Sequence, residues 1–260
     1  CAILAEELQP AMGCTEPIAV AYCAALARKT LGCLPEDVQV YASANIIKNV
    51  KSVVVPNTGG QRGLTAAAAA GIVAGDADAQ LQVLAGITPE QVEQIAAYEK
   101  QGIVHVHPSD KDFIFDIQVR VSAGGHTAFA EIAGFHTNVI RLEQDGDVLL
   151  DRPYTEEGPQ HATDRSLLTV ERIVEFSDAV KIADVQSVLQ RQIDCNTAIA
   201  KEGLRGQWGA NIGRILLESY GDSTHNRAKA WGAAGSDARM NGCELPVVIN
   251  SGSGNQGLTA

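Results

Sequence analysis

Hydrophobic residues recur at helical spacing through the first hundred positions of the chain and again in its last hundred. In the first part this spacing is bounded by Pro and Gly, which mark helix ends. The predicted helices cover 2–9, 16–31, 63–74 and 88–101. Alternation over 38–42 and a valine-rich stretch over 50–55 predict two strands in the same part of the chain.

Residues 102–152 show a different pattern, in which apolar and polar residues alternate with period two. Gly124-Gly125 and Asp145-Gly146 are dipeptides typical of hairpin turns. The predicted strands are 103–107, 113–122, 126–133, 138–143 and 148–151. We therefore expect an antiparallel sheet with one face towards solvent.

The polar segment 153–166 predicts a linker, after which a second helical region, 167–260, begins. Its predicted helices are 169–175, 178–200, 208–219 and 225–240. The apolar run 246–249 then leads into a glycine loop, which suggests a broken or re-entrant element. With the mixed helical region 1–101, the pattern predicts an α+β fold, with helical parts on either side of an antiparallel β-sheet domain. The chain stops at Gly-Leu-Thr-Ala as a helix begins, so we expect a piece of a longer protein.

Charge, hydrophobicity and cysteine spacing disfavour several classes of protein. The net charge is −11 and there is no basic run, which disfavours nucleic-acid binding. No apolar segment is long enough to cross a bilayer, and no basic leader precedes an apolar run. The six cysteines lack the spacing of a zinc knuckle and are too sparse for a disulfide framework. We expect a cytoplasmic protein that binds neither nucleic acid nor membrane.

Gly13-Cys14-Thr15-Glu16-Pro17 carries the densest chemistry of the chain. Cys14 offers a nucleophile or metal ligand, and a hydroxyl and a carboxylate follow it directly. Gly13 has no side chain to shield the thiol, and Pro17 suits the first turn of the helix that follows. The free N–H groups of that turn favour a thiolate over a thiol. We therefore expect Cys14 to be accessible and to react or bind, rather than to fill the core.

The same phrase recurs near the other end of the chain, as Gly-Cys-x-x-Pro over 242–246. Each copy is followed by a stretch that runs from Asn-hydroxyl-Gly to Gly-Leu-Thr-Ala, at 57–66 and at 250–260. An internal duplication with an insertion would explain this pattern, and chance in a Gly/Ala-rich chain is the alternative. Glycines before a helix let backbone N–H groups face a bound anion, so both loops indicate a small anionic ligand.

Two polar clusters are further candidates. Asn45 and Lys48 lie between the first two predicted strands, where a substrate-carboxylate site and a solvated turn are both compatible with the sequence. From local sequence the solvated turn is favoured, and no phosphate-cradling loop supports a Schiff-base role of Lys48 with pyridoxal phosphate. His136 and Asn138 stand at a strand entrance, where they would orient a substrate or form ordinary surface hydrogen bonds.

Four motifs occur in a fixed order along the chain: Gly-Cys-Thr-Glu-Pro at 13–17, Asn-Ile-Ile-Lys-Asn at 45–49, His-Thr-Asn at 136–138 and Ser-Gly-Ser-Gly-Asn-Gln-Gly at 251–257. Together they resemble the L-cysteine desulfidase family, distant relatives of the alpha chain of bacterial iron–sulfur L-serine dehydratases. The resemblance implies a carbon–sulfur lyase that works without pyridoxal phosphate and converts L-cysteine to pyruvate, ammonia and sulfide. A [4Fe-4S] cluster would polarise the leaving group.

The resemblance also implies roles for individual residues. Cys14 matches the family cysteine proposed to remove the α-proton, with Glu16, Lys48 and His136 as further catalytic candidates. The implied substrate-binding residues are Thr15, Asn45, Asn138, Ser251, Gly252, Ser253, Gly254 and Asn255. The family's cluster cysteines follow the glycine loop, so we expect the cluster to be incomplete in this chain, and Cys243 is an insecure metal-ligand candidate.

Two other functions stay open at this point. An L-serine ammonia-lyase of the same type differs only in the leaving group, which these motifs do not specify. A non-catalytic protein that binds a small amino acid is an alternative of another class. The substrate expected in each case is L-cysteine or L-serine, and the sequence leaves a homodimer open.

Overall fold

The computed structural model describes residues 1–155 and 163–260, which form two compact units. The larger unit contains residues 12–155 and 240–244, and the smaller unit contains 1–11, 163–239 and 245–260. The predicted division between residues 101 and 102 and the predicted linker 153–166 stay predictions. Residues 156–162 of that linker lie outside the described part of the chain.

A run of consecutive strands lies between two largely helical regions, and together they give the mixed α+β architecture that the sequence predicts. The helices are α1 (Ala2–Glu7), α2 (Thr15–Leu31), α3 (Ala44–Val50), α4 (Gly63–Ala74), α5 (Pro89–Glu99), α6 (Val170–Ala179), α7 (Ile182–Arg205), α8 (Ile212–Tyr220), α9 (Thr224–Met240) and α10 (Gly254–Thr259). The strands are β1 (Pro10–Met12), β2 (Asp37–Ala42), β3 (Val104–Pro108), β4 (Asp116–Ala123), β5 (His126–Ala133), β6 (Val139–Gln144), β7 (Asp147–Asp151) and β8 (Pro246–Val248).

The larger unit is built on a six-stranded sheet with the order β3-β2-β4-β5-β6-β7. All neighbouring pairs are antiparallel except β2 and β3, so the sheet is mixed rather than purely antiparallel. Val38, Val40 and Ala42 alternate with more exposed residues along β2, which buries one face of the strand. Helix α2 packs on β4 and β5, and α4 packs beside α2.

Helices α2 and α4 approach each other very closely because small residues line both of them. A Cβ built on Gly71 of α4 would lie 2.0 Å from the carbonyl oxygen of Ala21 in α2. Residues 66–70 of α4 are all alanine and all buried. The alanine run therefore serves backbone-to-backbone helix packing, which fixes the position of α2 and of the cysteine that precedes it.

Two local predictions before α4 are wrong. Residues 43–49, predicted as a turn, lie largely in α3, where Ile46 and Val50 are buried one helical turn apart. Residues 50–55, predicted as a strand, form none: Val50 ends α3, a turn follows, and the remaining residues make one isolated bridge, between Val54 and Arg62. Val53, Val54, Val55 and Pro56 are all buried, so this apolar run fills the interior without joining the sheet.

The smaller unit combines the short two-stranded sheet of β1 and β8 with α1 and helices α6 to α10. Residues 246–249, predicted as a broken or re-entrant element, instead contain strand β8, which packs on α7. Glycines again permit close helix packing, since a Cβ on Gly203 of α7 would lie 2.0 Å from the carbonyl oxygen of Ala234 in α9. None of the helices described here has both the length and the apolarity needed to cross a membrane.

Candidate functional site

Cys14 is the residue immediately before α2, and its thiol contacts a carboxylate. Its backbone is extended (φ −75°, ψ 129°), so the helix proper begins with Thr15. Cys14 Sγ donates a hydrogen bond of 3.0 Å to Glu16 Oε2, and Thr15 Oγ1 donates one of 3.2 Å to the same oxygen. The three candidate side chains of this motif therefore form one hydrogen-bonded group, in which Glu16 is placed to accept the thiol proton.

The expectation of an accessible thiol is wrong, because only 3% of Cys14 is exposed. Gly13 provides the reason for this tight environment. Its φ of +59° lies in the left-handed region, and a Cβ built on it would lie 2.2 Å from Pro56 Cγ. The glycine lets the chain approach Pro56, rather than opening the thiol to solvent.

The second Gly-Cys motif packs on the same segment of the larger unit. A Cβ built on Gly242 would lie 2.5 Å from Val54 Cγ1, and Cys243 is also 3% exposed. Both Gly-Cys motifs thus contact residues 53–56, although more than two hundred positions separate them in sequence. Neither of these two cysteines takes part in a disulfide bond.

The glycine loop 57–63 connects this segment to α4, and its polar side chains stabilise the loop itself. Asn57 Nδ2 donates to the carbonyl oxygen of Leu84 (2.7 Å), and Thr58 Oγ1 donates to that of Val55 (2.7 Å). Asn57 adopts a left-handed φ of +58°. In the same loop, Gln61 Oε1 is buried and has no hydrogen-bond partner among the described residues.

Helix α3 carries the candidates Asn45 and Lys48 on its exposed side. The residues are three positions apart, so their side chains project from the same face of the helix. Ser43 fixes the start of the helix, since its N–H donates to the carbonyl oxygen of Asp116 (2.9 Å) and its Oγ to that of Ile114 (2.8 Å). Helix α3 packs against both α2 and α4, which places these candidates in the larger unit with Cys14.

His136 and Asn138 lie in the loop between β5 and β6. The amide nitrogen of Asn138 donates to the carbonyl oxygen of Ala133 (2.8 Å), so its side chain closes the loop. The His136 ring packs edge-on against Phe115, with 4.8 Å between ring centroids. His136 is therefore held in one orientation by an aromatic neighbour, whereas Asn138 has a structural role in this geometry.

The C-terminal glycine loop belongs to the smaller unit and begins with a tight turn. Asn250 and Ser253 exchange two main-chain hydrogen bonds, and Ser251 and Gly252 between them have φ of +50° and +73°. Two left-handed residues at the centre of such a turn are the geometry of a type I′ turn. Ser253 then caps α10, accepting a hydrogen bond from Gln256 N with its hydroxyl.

Two residues that the sequence did not single out hold this loop in place. Asn196 of α7 is buried and donates to the carbonyl oxygens of Val248 (3.1 Å) and Gly257 (2.7 Å). Arg239 of α9 is 3% exposed, and its Nη1 donates to Asn255 Oδ1 (2.9 Å). A Cβ on Gly254 would lie 2.3 Å from Arg239 Nε, so this glycine is required by a buried guanidinium.

The structure distributes the candidate residues over both units. The larger unit contains Cys14, Thr15, Glu16, Asn45, Lys48, His136, Asn138 and Cys243, and the smaller unit contains Ser251, Gly252, Ser253, Gly254 and Asn255. Asn196 and Arg239 lie in helices that carry many other polar and charged residues, so no local signal distinguishes them. Their partners are distant in sequence, so their roles could not be read from it.

The donor set of the described residues does not fit a complete iron–sulfur cluster. Such a cluster is held by several cysteine thiolates. Within residues 1–155 and 163–260, no three His, Cys, Asp or Glu side chains are grouped so that they could hold a metal ion.

Comparison with known proteins places the chain in a family. A UPF0597 protein of Desulfitobacterium hafniense is 50% identical over 258 residues, which are 99% of this chain and 60% of that protein. UPF0597 proteins of Lachnoclostridium phytofermentans and Fusobacterium nucleatum are 47% and 41% identical, over 99% of this chain in each case and 61% and 62% of their own lengths.

The chain thus spans about 60% of the length of these relatives. No solved structure matches it significantly. Residues 78–260, well over half of the chain, match the serine dehydratase alpha chain family. The protein therefore belongs to the serine dehydratase alpha chain family.

Proposed function

We propose that this chain forms the substrate-binding and proton-transferring part of a lyase that eliminates sulfide from L-cysteine, giving pyruvate and ammonia, without pyridoxal phosphate. Membership of the serine dehydratase alpha chain family supports an elimination reaction on a small amino acid. The observation that carries the proposal is the contact of the Cys14 thiol with the Glu16 carboxylate at the start of α2.

This contact suits the removal of a weakly acidic proton. In the proposed reaction, Cys14 Sγ transfers its proton to Glu16 Oε2, 3.0 Å away, and the resulting thiolate takes the α-proton of the substrate. The positive end of α2 stabilises the negative charge on sulfur during this step. The proton on Glu16 is then available to the departing sulfide. Burial of Cys14 excludes water from the reacting groups and strengthens these interactions.

The remaining candidates have supporting roles in the proposal. Considered within the smaller unit alone, main-chain N–H groups of loop 251–255 are proposed to bind a small anion, and the buried positive charge of Arg239 lies against that loop. Lys48 and Asn45, on the exposed side of α3, and His136 are proposed to contact the amino acid in the larger unit. Thr15 orients Glu16 through its hydrogen bond to the carboxylate.

We further propose that the whole protein holds a [4Fe-4S] cluster. The donor set described above is insufficient for one, so its ligands would come in part from the additional length that the relatives possess. Cys243 remains a candidate ligand in this chain. The cytoplasmic location and the homodimer stay predictions.

An L-serine ammonia-lyase is the second candidate, because the matching family is described by serine dehydratase. The test uses the complete protein, reconstituted with iron and sulfide without oxygen, and measures pyruvate from both amino acids and sulfide from L-cysteine. Sulfide and pyruvate in equal amounts from L-cysteine support the proposal, and pyruvate from L-serine alone supports the second candidate. Binding of either amino acid without pyruvate would instead identify a non-catalytic binding protein.

Variants of the complete protein test the role of Cys14. Cys14→Ala should lower kcat by about 10²–10⁴-fold, the usual contribution of a general base, and leave the circular dichroism spectrum unchanged. The matched control is Cys33→Ser, an exposed cysteine just beyond the other end of α2, which should retain full activity. Equal activity of Cys14→Ala and Cys33→Ser would refute the catalytic role.

A further inference from the structure

A buried group of charged side chains lies on the sheet face that points away from α2 in the larger unit. Asp116 of β4 and Glu131 of β5 are 0% and 1% exposed. Gln118 is directly opposite Glu131 in the ladder, so Asp116, two positions before Gln118, is the diagonal neighbour of Glu131 on the same face. Side chains in this relation lie within reach of each other across two strands.

The hydrogen bonds of this group leave one acceptor that a proton would satisfy. Asp116 Oδ2 accepts from Ser109 Oγ and from Gln118 Nε2 (2.8 Å). Asp116 Oδ1 is buried, and no group in the described part of the chain donates to it. A carboxyl hydrogen on Glu131 would supply the missing donor. An unsatisfied buried acceptor is otherwise costly, by about 1–3 kcal/mol.

The charges of the group also balance only if one proton is shared. Lys111 Nζ forms an ion pair with Glu131 Oε1. Two carboxylates and one ammonium leave one uncompensated negative charge in the interior, whereas a shared proton makes the group neutral. Two buried carboxyl groups in contact normally hold one proton between them for this reason.

Two other titratable groups lie near the pair, and the charge of Glu131 contributes to a raised pKa of Arg141. Arg141 of β6 is opposite Glu131 in the ladder, but it is partly exposed and pairs with Glu143. Cys23 of α2 approaches from the other face, and its thiol donates to the carbonyl oxygen of Ala130 (3.4 Å). Burial raises the pKa of the Cys23 thiol well above its usual value, so it stays neutral.

The position of this group makes it relevant to the candidate site. The three consecutive residues Ile114, Phe115 and Asp116 hold two site elements at once. The carbonyl oxygens of Ile114 and Asp116 accept both hydrogen bonds of Ser43, which begins α3. The Phe115 carbonyl accepts from the N–H of Gly134 (2.9 Å), and the Phe115 ring packs on His136.

We propose that Asp116 and Glu131 share one proton, and that this pair, neutralised by Lys111, positions α3 and the His136 loop through residues 114–116. Asp116 and Glu131 are positioning residues, since neither is proposed to touch the substrate. The shared proton is independent of the proposed function, whereas its consequence for turnover rests on that function.

The sign of the pH dependence follows from the environment of Glu131. Burial raises the pKa of Glu131, the hydrogen bond and charge of Lys111 oppose this rise, and the charge of Asp116 adds to it. A carboxyl group whose folded pKa is raised favours the fold fully below its unfolded pKa, and that contribution is lost as pH rises through the folded value. Positioning of α3 and of the His136 loop should therefore weaken towards high pH.

The direct test is an NMR titration of the 260-residue chain, which needs no turnover. The Glu131 side-chain carboxyl carbon should titrate above the ordinary glutamate range. The amide signals of Ser43 and Gly134 should shift with the same midpoint, because their acceptors belong to residues 115–116. Titration of Glu131 in the ordinary range, or amide signals that do not follow it, would overturn the proposal.

Three variants separate the shared proton from general damage to the fold. Glu131→Gln mimics the protonated form, so the shifts of the Ser43 and Gly134 signals should disappear with both amides in their low-pH positions. Asp112→Asn, an exposed acid of the same segment, should leave these shifts unchanged. Lys111→Met removes the neutralising charge and should raise the midpoint by about 1–3 pH units. An unchanged midpoint in Lys111→Met would contradict the charge balance.

Turnover of the complete protein then tests the positioning role separately. Glu131→Gln should flatten the high-pH decline of kcat while keeping activity at low pH, whereas Cys14→Ala should be inactive at every pH. If no variant or wild type forms product, the proposed function fails but the titration still decides whether the proton is shared. An unchanged pH profile in active Glu131→Gln would overturn the positioning role.

Discussion

Replacement of Gly13 by alanine should destabilise the protein by about 2–5 kcal/mol, and two separate costs contribute to this value. Gly13 has a φ of +59°, where an L-residue with a Cβ loses about 1–2 kcal/mol relative to glycine. The new Cβ would also lie 2.2 Å from Pro56 Cγ, far inside van der Waals contact. A proline ring cannot rotate away, so the segment must shift, and overpacking of this kind costs about 1–3 kcal/mol.

Gly32, at the other end of α2, provides a matched control. Its φ is +83°, so alanine pays the same backbone cost there, but a Cβ at Gly32 would meet no atom within 4 Å. Gly32→Ala should therefore cost only about 1–2 kcal/mol. The difference between the two variants measures the contact with Pro56 by itself.

Urea unfolding at 25 °C, followed by circular dichroism, gives both free energies of unfolding. Equal destabilisation by Gly13→Ala and Gly32→Ala would refute the argument that close packing requires Gly13.

A double variant adds a second test, because Pro56→Ala should recover part of the loss in the Gly13→Ala background. Coupling between the two positions of about 0.5–3 kcal/mol is expected for residues in contact. No coupling would mean that Pro56 is not the obstacle.

Three further variants test other parts of the structure. Asn196→Ala should lower the free energy of unfolding by about 2–4 kcal/mol in thermal or urea unfolding, since it leaves buried main-chain groups unsatisfied; a loss below about 1 kcal/mol would contradict this. Thr88→Ala should cost about 1 kcal/mol by the same measurement, because it removes the capping box with Gln91 that begins α5, and no change would contradict the cap. Burial raises the pKa of Tyr98 to about 12, so an absorbance titration should show a late phenolate step that Tyr98→Phe lacks; ionisation of every tyrosine near pH 10 would contradict it.

The elements that the sequence predicted well are those with local end signals. Helix α2 begins beside Pro17 and ends at Gly32, which adopts a left-handed φ as expected for a residue that terminates a helix. The Thr88-Pro89 start of α5 is equally local. The hairpin at Gly124-Gly125 joins β4 and β5 where the turn dipeptide predicts it. In each case a few neighbouring residues determine the geometry, so no knowledge of the rest of the chain is needed.

The errors arise where distant residues decide the structure. The β-branched run at 53–55 has the composition of a buried strand, but it is buried without joining the sheet, and its main chain pairs instead with residues of the glycine loop that follows. The parallel pairing of β2 with β3 joins residues more than sixty positions apart. Local patterns predict that a residue is buried, but they do not identify the partner against which it is buried.

The same limit applies to the candidate site. The sequence identified Cys14 and Glu16 as neighbours, and the structure connects them by a hydrogen bond. It could not predict that Cys14 is buried, because the segment that packs against the preceding Gly13 includes Pro56, forty-three positions from that glycine. Asp116 and Glu131 were missed for a related reason. Each looks like an ordinary polar position of an alternating strand, and only the covering Lys111 segment makes the pair buried.

The recurrence of Gly-Cys in the chain has a physical explanation that does not depend on its evolutionary origin. Gly13 and Gly242 both lie against residues 53–56, and at either position a Cβ would come within about 2.5 Å of a side-chain carbon of that segment. The backbone must pass equally close in both cases, so glycine is required twice. Each glycine then places the cysteine that follows it in the interior beside the same buried segment. Two close approaches to residues 53–56 therefore require the repeated Gly-Cys dipeptide, whether the motif was duplicated or arose twice.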